Sequence, residues 1–139
     1  MSLAITTLSS GRLRQPWVGG GFTFGPRILY YAPRIGERYP EQSPATINKT
    51  ALVTGMRFVN TKALGTTPVT INISFVRYSA QSLYSRPLRS ILPIDLSLAG
   101  GQMFLDNLRL TLEEGDAILG LASEREVISY IISGMERDS

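Results

Sequence analysis

Between Val69 and Phe75 the chain alternates without a break. Val69, Ile71, Ile73 and Phe75 are apolar, and Thr70, Asn72 and Ser74 between them are polar. A period of two built from β-branched residues predicts a strand with one face buried. Less regular versions recur at 27–32, 51–60, 102–105, 108–112, 117–122 and 127–136. Turn residues separate them: Pro33, Gly65 and Pro68, Gly100-Gly101, Asp106-Asn107, Glu113-Glu114-Gly115-Asp116, and 123–126. Residues 90–98 read as extended, with Pro93 predicting an edge or a break. Residues 34–49 read as a long loop. Residues 79–89 read as a loop or a short helical turn ending before Pro87. Short strands at this spacing predict an all-β chain, an antiparallel β-sandwich of jelly-roll type, rather than alternating strand–helix units.

The first 26 residues fit neither period. From Gly11 to Pro26 there are five glycines and two prolines, together with Trp17, Phe22 and Phe24. A solvated tail has few aromatics. The pattern predicts an extended N-terminal arm over 1–26 on a sandwich domain over 27–139. Arg12, Leu13, Arg14, Trp17, Phe22 and Phe24 are the residues expected to reach a partner, because Trp and Arg are enriched at interfaces. The competing reading folds the aromatics back onto their own domain. On the partner reading, removing residues 1–25 leaves a folded domain that no longer holds its partner.

Composition narrows the chemistry. The chain has 139 residues, no cysteine and no histidine. Thiolate nucleophiles, Cys/His zinc sites and a Ser–His–Asp triad are excluded. The usual general base near neutral pH is missing as well. No enzymatic activity, cofactor or metal is expected. The start of the chain lacks a basic segment leading into an apolar run, and no stretch has the roughly 20 apolar residues of a membrane span. Synthesis in the cytoplasm and no membrane partner are the expectations.

Charge is low in total and uneven. Charged residues make up 18% of the chain and net charge is +3. Residues 1–50 carry six basic against two acidic side chains, residues 51–100 five against one, and residues 101–139 three against eight. Twelve of the fourteen basic residues are Arg, the better interface cation because its planar fork pairs with carboxylates. Arg27, Tyr30, Tyr31, Arg34, Arg38 and Tyr39 mix cations with rings as a nucleic-acid platform would. They fall on different predicted elements, which favours pairing with acidic protein over nucleic acid. Glu113-Glu114-Gly115-Asp116 reads as a solvated hairpin turn with Gly115 left-handed, not a calcium loop. Nothing places any two of Asp95, Asp106 and Glu126 around a cleft as a glycosidase requires. Gly19-Gly20-Gly21 lacks the Lys-Ser/Thr ending and the helix of a phosphate loop.

Six motifs occur in order: Leu29-Tyr30-Tyr31-Ala32-Pro33; Phe58-Val59-Asn60-Thr61; Val69 to Ile73; Ile94-Asp95-Leu96-Ser97-Leu98-Ala99-Gly100-Gly101 leading to Met103-Phe104-Leu105; Leu110 to Ile118, of the form L-x-L-E-x-G-D-x-I; and Ser133-Gly134-Met135-Glu136. Their order resembles that of small β-sandwich accessory virion proteins of tailed bacteriophages, across Arg27 to Glu136. The resemblance implies a structural protein of the virion, with a capsid decoration (cement) protein as the leading reading. Its partners would be the major capsid protein or other virion subunits. It also implies a homo-oligomer, with a trimer as the guess. A neck, tail or baseplate component is the alternative within that class. A carbohydrate-binding module using Tyr30, Tyr31, Tyr39, Tyr78 and Tyr84 is the alternative outside it. The segment 1–26 lies outside the shared pattern.

Overall fold

Alternation becomes architecture through pairing. The computed structural model describes residues 5–13, 18–19, 22–23, 27–35, 47–77, 89–107, 109–124 and 126–138. These residues form β1 (Thr6–Arg12), β2 (Val18–Gly19), β3 (Phe22–Thr23), β4 (Arg27–Tyr31), β5 (Lys49–Asn60), β6 (Val69–Val76), β7 (Arg89–Ser90), β8 (Leu96–Leu98), β9 (Met103–Asp106), β10 (Leu110–Leu112), β11 (Ala117–Ala122) and β12 (Ile128–Asp138). No helix occurs among them, so none of them forms a helical membrane span.

Two antiparallel sheets face each other. Sheet 1 runs β1-β12-β5, and the far flank of β5 carries β10 beside Ala51–Val53 and β9 beside Met56–Val59. Sheet 2 runs β4-β11-β6, and the far flank of β6 carries β8 beside Val69–Ile71 and β7 beside Ser74–Phe75. The pairings are nested along the chain: β1 with β12, β4 with β11, β5 with β9 and β10, and β6 with β7 and β8. Successive pairs fall in alternate sheets. Among the described residues the two-residue strands β2 and β3 pair with each other.

The core lies between the sheets. Val69, Ile71, Ile73 and Phe75 from β6 meet Val53, Met56 and Phe58 from β5 and Ile128, Tyr130 and Ile132 from β12. The four β6 side chains are at most 8% exposed. At roughly 1.5–3 kcal/mol per buried side chain, these four contribute at most about 6–12 kcal/mol. A second cluster, Tyr31, Val76, Ala117 and Leu119 with Ile28 against it, is buried apart from the main core.

The beginning of the chain departs from the expected arm. Thr6–Arg12 is a strand of sheet 1, paired with β12 from Thr6↔Gly134 to Arg12↔Ser129. Leu13 is fully buried in the core, its amide donating to the Ile128 carbonyl at 2.8 Å. The side-chain pattern did not announce β1 because five of its seven residues are exposed; it is held by its main-chain pairing with β12, by Leu8 against the core and by the Ser9 hydroxyl donating to the Leu29 carbonyl. The segment Glu113–Asp116 also departs from expectation. It joins β10 in sheet 1 to β11 in sheet 2, so it is a crossing between sheets and not a hairpin turn. Gly115 is left-handed at φ +84°, as the third residue of this turn requires. Asp116, expected to be solvated, is 2% exposed.

Candidate interaction surface

The buried polar groups are all committed to the fold. Asn60, at the end of β5, has no exposed surface. Its side-chain amide donates to the Leu98 carbonyl at 2.9 Å, and its Oδ1 accepts from the Lys62 amide at 3.0 Å. Its main chain bonds to both Gln102 and Gly101. One residue thus ties β5 to the end of β8 and the turn after β5 through its side chain, and to the turn Ala99–Gln102 through its main chain. Thr61 donates through its hydroxyl to the Val127 carbonyl at 2.7 Å, fixing the entry to β12. A Cβ on Gly100 would collide with the Ala63 carbonyl oxygen, so this close approach admits only glycine.

The opposite end is built the same way. Asp116 accepts from the Glu113 amide at 3.0 Å and from Arg77 at 3.3 Å. The turn is clipped to the end of β4: Gly115 donates to the Ala32 carbonyl and Ala32 to the Asp116 carbonyl. Tyr30 of sheet 2 donates to Glu136 of sheet 1 at 2.5 Å, with Lys49 3.6 Å from the same carboxylate. Burial first, and then the bond to Glu136, hold the Tyr30 phenol far above its ordinary pKa. Burial raises Tyr31 as well. Both rings are at most 9% exposed, so neither is available to stack on a sugar or a base. Tyr39, Tyr78 and Tyr84 lie outside the described residues. Every buried side-chain nitrogen and oxygen among the described residues has a partner.

Of the residues expected to reach a partner, Leu13 is inside the core and Arg12 is exposed at the end of β1. Phe22 contributes backbone to β3. Arg14, Trp17 and Phe24 lie outside the described residues. Asp95, Asp106 and Glu126 fall on three separate parts of the fold: the link before β8, the end of β9 and the turn before β12. Among the described residues no three acidic side chains cluster as a metal site.

Met103 and Leu105, two of the seven exposed large hydrophobic residues among those described, stand with arginines on the outer face of sheet 1. Two neighbouring rows cross four strands there. One row is Arg12–Ser129–Val59–Met103 and the next is Ser10–Ile131–Arg57–Leu105. Their strand neighbours Gly11, Tyr130, Phe58 and Phe104 take the opposite, inner side. Met103 and Leu105 are each 54% exposed, and Arg57 is exposed between Ile131 and Leu105. Farther along the same face stand Met135 beside Leu52 and Arg137 beside Thr50. The described ion pairs use Lys49, Lys62 and Arg77; Arg12, Arg57 and Arg137, and also Arg89 and Arg109, have no carboxylate partner among the described residues. The hint available in the sequence was the outward phase of two predicted strands, where Val59, Met103 and Leu105 hold places that water would favour as polar.

No protein family, no curated protein and no solved structure matches this chain.

Proposed function

We propose that this chain is a structural virion protein of a tailed bacteriophage, a capsid decoration (cement) protein that bridges shell subunits. The nested pairing in alternate sheets is what results when a long antiparallel ribbon folds over on itself, and we read the sandwich as a jelly roll on that ground. The observation that carries the proposal is how five of the six motifs of the resemblance meet. Leu29–Pro33 supplies Tyr30 to Glu136 of the closing Ser133–Glu136 motif. It also supplies Ala32 to Gly115 and Asp116 of the L-x-L-E-x-G-D-x-I motif. Asn60 of the second motif holds Leu98 and Gly101 of the fourth. Motifs far apart in sequence therefore act as one set of joints, which supports reading their order as an architectural signature.

The job fits a domain whose described buried polar groups are spent on its own joints and whose sheet 1 carries arginines and exposed apolar side chains together on its outer face. A shell-bridging protein needs such a surface and no reactive centre. The test is stoichiometry in purified particles by quantitative mass spectrometry. A ratio near that of the major shell subunit supports a decoration protein. A ratio far below it moves the proposal to a neck, tail or baseplate component. Absence from particles overturns both.

A further inference from the structure

We propose that the outer face of sheet 1 is the docking surface, and that it seats on an acidic, apolar-bearing patch of a neighbouring virion subunit. The proposal rests on the virion reading for the identity of its partner. The chemistry of that partner follows from the face itself.

An antiparallel sheet with one face in water ordinarily alternates apolar-in with polar-out. The two rows break that rule. Their eight positions hold four apolar side chains, two arginines and two serines, with no lysine and no carboxylate. Met and Arg are enriched at interface centres, and Lys, Glu and Asp are depleted there. Asp106, the nearest acidic residue on β9, is placed on the same side of its strand as the inward Phe104. In sheet 2 the described apolar cluster around Leu119 and Val76 is already buried.

The charges select the occupant. Arg57 and Arg12 stand two strands and one row apart, about 12 Å between Cα atoms at ordinary sheet spacings. A matching surface presents carboxylates at about that separation, with apolar side chains beside the one that meets Arg57 to cover Val59, Met103 and Leu105. A second copy docking face to face through these rows would bring no carboxylate to either arginine. Phosphate would satisfy the arginines and leave Val59, Ile131, Met103 and Leu105 uncovered. It would also lack the outward rings that stacked bases use. An acidic protein surface satisfies both halves of the face.

The experiment is add-back to particles assembled without this chain. Wild type, Arg57→Glu, Leu105→Glu and a control, Ile94→Glu on the link before β8 of sheet 2, are titrated onto these particles, with circular dichroism confirming that each is folded. Ile94 is 73% exposed and off the face, so its variant should bind like wild type. Arg57→Glu and Leu105→Glu should each weaken binding about tenfold or more, as central interface residues do. Wild-type binding should fall as salt rises, and Arg57→Glu should lose part of that dependence. If wild type binds and both face variants bind equally well, the face is the wrong surface while the virion reading stands. If wild type does not bind, the virion reading fails. Release of bound chain by nuclease, or a change in the self-association of the free protein in the two variants, overturns the proposal in favour of nucleic acid or of a second copy.

Discussion

Replacing Asn60 by alanine tests whether the joint between β5 and the end of β8 is what its geometry implies. The substitution removes a donor from the buried Leu98 carbonyl and an acceptor from the Lys62 amide. A buried polar group left unpaired costs about 1–3 kcal/mol, and Lys62 lies where water can partly compensate. With the small cavity that remains, the loss should be about 2–4 kcal/mol. Unfolding entropy of about 2.1 cal/mol/K per residue, over 139 residues, makes each kcal/mol worth about 3.4 °C in Tm. Tm should therefore fall by about 7–14 °C, read by circular dichroism and confirmed by urea unfolding. Asn60→Asp sharpens the test. Its ionised carboxylate cannot donate to Leu98 and would be buried, whereas the protonated form can donate. Its deficit relative to wild type, measured at each pH, should therefore shrink as pH falls. A stability loss below about 0.5 kcal/mol for Asn60→Ala, the ordinary effect of a surface change, would refute the reasoning. So would an Asn60→Asp deficit that does not change with pH.

Leu13→Ala should cost about 2–5 kcal/mol, as for other buried leucines, while Arg12→Ala next to it should leave Tm unchanged; removing residues 1–25 takes β1 and Leu13 away and should lower stability rather than leave an intact domain. Gly100→Ala forces the new Cβ onto the Ala63 carbonyl and should destabilise by about 1–3 kcal/mol, measurable by urea unfolding. Tyr30 keeps its proton in the folded state at pH values where the unfolded chain has lost it. Its contribution is full below the ordinary tyrosine pKa of about 10 and is lost as pH rises above that. Tyr30→Phe should therefore make the fall of Tm above pH 10 shallower, with Tyr31 retaining a share of it.

The strands that were legible are those that bury one side. β6 could be read from Val69, Ile71, Ile73 and Phe75 because periodicity records where side chains go. β1 could not, because Thr6, Thr7, Ser10 and Gly11 are exposed and the strand is held by its backbone against β12. The crossing at Glu113–Asp116 has the residues of a hairpin turn; only the pairing of β10 with β5 and of β11 with β6 separates the two cases. The face of sheet 1 was hidden for a related reason. Arg12 stood out by its type, but its neighbours Ser129, Val59 and Met103 come from three distant segments and become neighbours only through the register.

Nesting the two ends of the described chain as partners fixes an order of events during synthesis. The inner pair, β6 with β7 and β8, closes a short loop and can form early. The pairing of Thr6 with Gly134 closes nearly the whole chain, which makes it the contact with the greatest loop entropy to overcome. At about 5–20 residues per second, β1 waits roughly 6–25 s on the ribosome for β12 to be made. Until then Leu13 has no core to enter and the rows through Arg12 and Arg57 lack their second strand. The arginine-bearing face is thus finished only after translation has passed Ile131, so docking through it must wait until β12 has been made and paired.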